Sequence, residues 1–210
     1  MSAWRQLRFD LTRGIPCALG VLSRHLGVTA TAKVGFRFLW HSLWYRTPPQ
    51  LQLEAPSARF TWRQLRPVLL LERALEESTE DPKPILAEVV AETGAAFIAS
   101  QVPIKPTQWA GLDDGQRQRL AQTSLERFGN AQADIQEISP SRLSFDVQRC
   151  EFVVFCHALS RPDLAPLFCA ADRRFFGLRD DVRLLRSETL AQGDPRCTFR
   201  FHLPEDKSPP

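Results

Sequence analysis

Arg142-Leu143-Ser144-Phe145-Asp146-Val147-Gln148-Arg149-Cys150 is the stretch whose reading sets the fold class. Its period is two. Leu143, Phe145, Val147 and Arg149 share one face and Ser144, Asp146 and Gln148 the other, the pattern of a strand with one buried side. Just before it, Asp134 to Ser139 reads as a hairpin partner around the turn Ser139-Pro140-Ser141. Just after it the period changes: Phe152 to Leu159 reads as helix, and a second helix starts at Pro162 and stops at Gly177. Leu164, Leu167, Phe168, Ala171 and Phe175 form the buried stripe of that second helix. Two more strands follow, Val182 to Leu190 and Arg196 to Leu203, joined by Gln192-Gly193-Asp194-Pro195.

Upstream of Gly129 the chain reads as helices. One spans Thr61 to about Ser78, with Pro67 inside it; another runs from Pro84 to about Gln101; a third runs from about Asp114 to Phe128, with Gly129 as its stop. The fold class expected is therefore α+β: a helical N-terminal half, then an antiparallel sheet of about four strands with two inserted helices. Residues 1–53 form a separate basic, Trp-containing segment with a linker to about residue 59. Residues 60–204 form the α+β domain, and 205–210 a polar tail that frays.

Apolar residues make up 43% and charged residues 24% of the 210. Those shares fit a chain long enough to bury a core without staples and exclude fibrous or wholly disordered classes. No apolar run approaches the ~20 residues of a membrane-spanning helix. The net charge of +3 is unevenly spread: residues 1–53 hold seven cations against Asp10 alone, and the remainder is net acidic. Within that basic piece Phe36, Leu39, Trp40 and Leu43 sit at helical spacing, which fits either a helix packed on the body or one that docks on a membrane surface through residues 15–46. Nucleic acid is not expected as a partner, since only this short piece would favour it. The oligomeric state stays open. Five cysteines, an odd number without CxxC pairs, and an N-terminus lacking a continuous apolar run point to a reducing, cytoplasmic setting, with peripheral membrane contact as the alternative.

Strand parity also aims some charges inward. Arg149 falls on the apolar face of its strand, and Arg186 and Glu188 share a face with Val182, Leu184 and Leu190; Cys197 alternates inward with Phe199 and Phe201. An inward arginine is costly unless a carboxylate or anionic ligand meets it. The set reads either as an internal ion network or as a pocket for a small-molecule carboxylate or hydrophobic ligand. On the helix after Pro162, Cys169, Asp172 and Phe176 line the edge of the core, where a carboxylate can serve as a base and a thiol as a nucleophile if its pKa is lowered. Cys150, Cys156, His157, Cys169, Asp172 and Cys197 offer metal donors, but their spacings match no zinc signature, so no metal is expected; nor do phosphate-loop or hydrolase-elbow motifs name a cofactor.

Three blocks carry a resemblance: Phe145-Asp146-Val147-Gln148-Arg149-Cys150; Cys169-Ala170-Ala171-Asp172; and Arg186-Ser187-Glu188-Thr189 followed by Gly193-Asp194-Pro195-Arg196-Cys197-Thr198-Phe199. In this order they resemble the L-2-amino-thiazoline-4-carboxylic acid hydrolase family over roughly residues 60–203. The last block is also similar to the close of the 4-vinyl reductase domain, a small-ligand module associated with tetrapyrrole metabolism. The first resemblance implies hydrolytic opening of a cyclic amidine ring in a carboxylate-bearing substrate. Arg149 and Arg186 would then anchor the carboxylate, with Glu188 orienting an arginine and Cys197 lining the pocket. Asp172 would activate water, and Cys169 or Cys150 would act as nucleophile or thiol acid. The second implies a non-catalytic binding module.

Overall fold

A computed structural model of the chain describes residues 3–101, 105–127 and 129–203. Helix α1 (Ala3–Phe9) passes through a π-helical turn at Asp10–Gly14 into the long α2 (Ile15–Trp44). Gly27 breaks α2 with φ 75° and ψ 170°, a backbone region open in practice only to glycine, so α2 is two helical halves joined at a kink. Helices α3 (Pro56–Glu76), α4 (Pro82–Gln101), the short α5 (Pro106–Trp109) and α6 (Asp114–Arg127) follow. Pro67 lies within α3 rather than at its start. The expected helix end at Phe128 and the tail 205–210 lie outside the described residues.

Strands β1 (Ala131–Ile138) and β2 (Arg142–Cys150) form the hairpin, followed by α7 (Glu151–Ala158) and, after a 3-10 turn at Pro162–Leu164, α8 (Ala165–Gly177). The last strands are β3 (Arg183–Leu185) and β4 (Cys197–His202), and the sheet is antiparallel in the order β1-β2-β4-β3. This is the expected α+β architecture. Two parity errors matter for the site. Gln132 and Ala133 of β1 face Arg149 and Val147 of β2, so Gln148 is an extra, bulged residue. A bulge resets the alternation: Cys150 joins the side of Leu143, Phe145 and Val147, and Arg149 turns outward. The strand expected over Val182 to Leu190 ends at Leu185. Beyond it the amides of Ser187 and Glu188 both donate to the buried Thr198 hydroxyl, at 3.2 and 3.1 Å, in place of a regular ladder.

The main core lies among α2, α3, α4, α7 and α8, where Val21, Leu22, Val34, Leu65, Leu75, Leu86, Val90, Phe155 and Leu164 are buried. The basic N-terminal piece is thus packed on the body, and Glu88 ties it to α4 by accepting from Arg24 at 2.7 Å and contacting His25 at 2.6 Å. A second cluster, built on Trp109, Ala121, Leu143, Val182 and Leu203, backs the sheet, and the Trp109 indole donates to the Ser139 carbonyl at 2.8 Å. Helices α4 and α8 meet very closely: a Cβ added at Gly94 would stand 2.5 Å from the Cβ of Ala171. Outward, the N-terminal helices are unusually apolar. Of thirteen large apolar side chains exposed among the described residues, eleven lie between Trp4 and Trp44.

Candidate functional site

The close approach of α8 to α4 places Asp172, next to buried Ala171, at the wall of an internal space. From the other side Arg186 arrives directly after β3. Its Nη1 donates to Asp172 Oδ2 at 2.8 Å and its Nη2 to the Cys169 carbonyl at 2.8 Å, and its guanidinium lies 5.2 Å from the centroid of the Phe199 ring. The Arg186 side chain is only 7% exposed. Asp172 keeps 24% of its side-chain surface accessible, and it borders the cavity. Burial pushes its carboxyl above the usual value, against the opposing pull of Arg186.

The cavity holds about 620 Å³. Phe9, Phe97, Phe145, Phe152, Phe168 and Phe199 are among the many apolar side chains that wall it, and Phe145 stacks on Phe199 at 4.8 Å. Cys150, Cys169 and Cys197 border the same space. Burial raises all three thiols, Cys169 to about 12, and outweighs the lowering influence of Arg186 on Cys169 and Cys197. At neutral pH they are therefore thiols: able to donate a proton, poorly placed to attack as thiolates. The Cys197 sulfur also accepts the Leu190 amide at 3.2 Å, which fixes the turn leading into β4. Among the described residues no group of three or more His, Cys, Asp or Glu side chains is arranged to hold a metal ion.

Two residues expected here sit elsewhere. Arg149 is half exposed and pairs with Glu151 at 3.0 Å, because the bulge at Gln148 turns it to the outer surface. Glu188 does not orient Arg186. It accepts from Arg196 Nε at 2.8 Å, and Arg196 continues at 3.3 Å to buried Asp146, which also meets Arg200 at 2.6 Å. That network belongs to the face of β2 carrying Ser144 and Asp146, away from the cavity. The structure thus brings together Asp172, Arg186, Cys150, Cys169 and Cys197, and leaves Arg149 and Glu188 apart. Sequence reading missed the cavity itself, since its walls come from nearly every helix. It also missed Arg173, Arg179 and Arg183 beside Arg186; the density of arginines after Asp172 was the available signal.

Among solved structures, the chain is similar to an Fe(II) unliganded H-NOX protein from K. algicida, at 11% identity and TM-score 0.39 with 94% of this chain and 99% of that one covered. It is similar also to an H-NOX domain from Shewanella oneidensis in the Fe(II)CO state, at 12% identity and TM-score 0.35 with 90% and 98% covered. Likeness at that level supports neither a common fold nor a shared ligand. No curated protein matches the chain. The family described as L-2-amino-thiazoline-4-carboxylic acid hydrolase matches residues 63–201, a span that contains Cys150, Cys169, Asp172, Arg186 and Cys197. The chain belongs to the L-2-amino-thiazoline-4-carboxylic acid hydrolase family.

Proposed function

We propose that the protein binds a small, largely apolar molecule in the internal cavity, with one polar or anionic group at the Asp172–Arg186 end. The observation that carries this is the contrast within one space: about 620 Å³ bordered mostly by aliphatic and aromatic side chains, with the Asp172–Arg186 ion pair in its wall. Apolar walls of that extent gain dispersion contacts from an apolar ligand seated against them. Mass spectrometry of the extract from protein purified out of its own cells tests the reading. The expected result is a stoichiometric apolar molecule with one polar terminus; an empty protein that also fails to bind a neutral solvatochromic dye would overturn it.

Family membership favours a second reading, hydrolysis at the same place. Water adds to the amidine carbon of a thiazoline carboxylate while Asp172 takes one water proton and passes it to the ring nitrogen. Collapse of the adduct forms the carbonyl, breaks the ring C–N bond and sends the remaining hydroxyl proton through Asp172 to the departing nitrogen. Both water protons thus end on the amine, and Asp172 is returned to its starting state. The raised carboxyl of Asp172 suits proton transfer nearer neutrality than an ordinary aspartate would. Ring opening of 2-amino-thiazoline-4-carboxylate by the wild type, lost in Asp172→Asn while dye binding persists, supports it. Absence of turnover in the wild type excludes it.

The N-terminal helices favour a peripheral membrane location. Trp4, Trp40 and Trp44 are exposed, and Arg8, Arg13 and Lys33 make no ion pair among the described residues, a combination suited to an anionic bilayer surface. No described helix is long and apolar enough to cross a membrane. Co-sedimentation with phosphatidylglycerol vesicles, weakened by salt and by Trp40→Ala with Trp44→Ala, is expected. Equal binding to phosphatidylcholine, or a dimer that buries the same face, would refute it.

A further inference from the structure

A second cavity, of about 580 Å³, adjoins the first, and Cys169, Phe176, Arg179, Val182 and Arg186 border both. Its chemistry is different. Four arginines, Arg173, Arg179, Arg183 and Arg186, border it against one acidic residue, Asp180. Arg186 is answered by Asp172, and Arg179 by Asp181 through hydrogen bonds of 2.7 and 2.5 Å. Arg173 and Arg183 make no ion pair among the described residues.

Like charges gathered in a concave wall repel one another and raise the local potential, a cost that an entering anion relieves. A guanidinium fork fits a carboxylate or a phosphate through paired hydrogen bonds. The two cavities abut at the wall that carries Cys169, Phe176, Arg179, Val182 and Arg186, so a ligand that passes Arg186 would reach from one into the other.

We infer that the second cavity is an anion-binding vestibule, and that the ligand is an amphiphile whose carboxylate or phosphate head is held by Arg173 and Arg183 while its apolar body runs past Arg186 into the larger chamber. This rests on the reading of that chamber as a ligand site. It assigns head-group selection to residues outside the Asp172–Arg186 pair.

Dodecanoate, dodecyl phosphate and dodecanol share one apolar body and differ in the head. Calorimetric titration of each into the wild type and into the double variant Arg173→Gln, Arg183→Gln is the test. Both substitutions are at the surface and keep hydrogen-bonding capacity, so the fold is retained. The affinity of at least one anion is expected to fall about tenfold in the variant, with a shallower salt dependence, while dodecanol is unchanged. Whichever anion binds the wild type more tightly identifies the head group. Dodecanol binding accompanied by no anion-specific loss overturns the vestibule and leaves the chamber standing. Failure of all three probes to bind the wild type overturns both.

Discussion

Arg186 and Asp172 are joined by a 2.8 Å hydrogen bond across a gap of 14 residues, and the two ends of that bond respond differently to losing a partner. A carboxyl stranded beside apolar side chains takes up a proton; a guanidinium cannot shed its charge. Arg186→Ala is therefore expected to cost about 2 kcal/mol, below the usual range for breaking a buried pair. Asp172→Ala should cost more, about 3 kcal/mol, since Arg186 keeps only the Cys169 carbonyl and the Phe199 ring. Urea unfolding of both variants checks the order. A reversed order would mean that the arginine escapes toward solvent through the second cavity.

The same pair sets a pH dependence. Asp172 binds its proton more tightly in the folded chain than at the unfolded value of 3.8. The folded state then holds the extra proton, so stability falls as pH rises from that value through the raised one and levels off beyond it. Asp172→Asn removes this fall. The urea midpoint of the variant minus that of the wild type is expected to climb with pH across the window and then stay flat. A difference that declines with pH would mean that Arg186 outweighs burial.

Much of this geometry is legible in the sequence, and the failures are local. Leu143, Phe145 and Val147 share one face, as their spacing predicts, because parity holds along an unbroken strand. One additional residue, Gln148, reverses the alternation beyond it, which is why Arg149, expected on the apolar face, lies on the outer surface. Glu188 departs from its expected face for a related reason: the Thr198 hydroxyl accepts from two amides where the regular strand has ended, an event that neighbours in sequence do not encode. Arg186 and Asp172 each stand out in the sequence, but their pairing is a long-range fact with no periodic signature.

The cavity thiols should be chemically quiet. With Cys169 pushed up to about 12 and Cys150 and Cys197 also raised by burial, iodoacetamide at neutral pH is expected to leave all three unmodified in the folded protein and to label them once urea unfolds it. Peptide mapping reads the result. Rapid native-state labelling of Cys169 would restore it as a nucleophile.

Gly94→Ala sets two effects against each other. Alanine favours a helix interior by about 1 kcal/mol, but its methyl would stand 2.5 Å from that of Ala171. Helix backbones must separate to relieve the clash, at about 1–3 kcal/mol, and Asp172 moves with its neighbour. A net loss of about 1 kcal/mol or more is expected in thermal unfolding. Ala171→Gly should restore stability in the Gly94→Ala background and not in the wild type. An additive double variant would place the strain elsewhere.

Phe9, Ala18, Leu22, Val34 and Phe38 border the large cavity, yet all precede residue 63, where the family match begins. The matched segment supplies only part of the wall, and residues of α1, the π-helical turn, α2 and the start of α3 supply the rest. What this chain can enclose is therefore set in part by residues that lie before the matched span, while the Asp172–Arg186 pair lies within it.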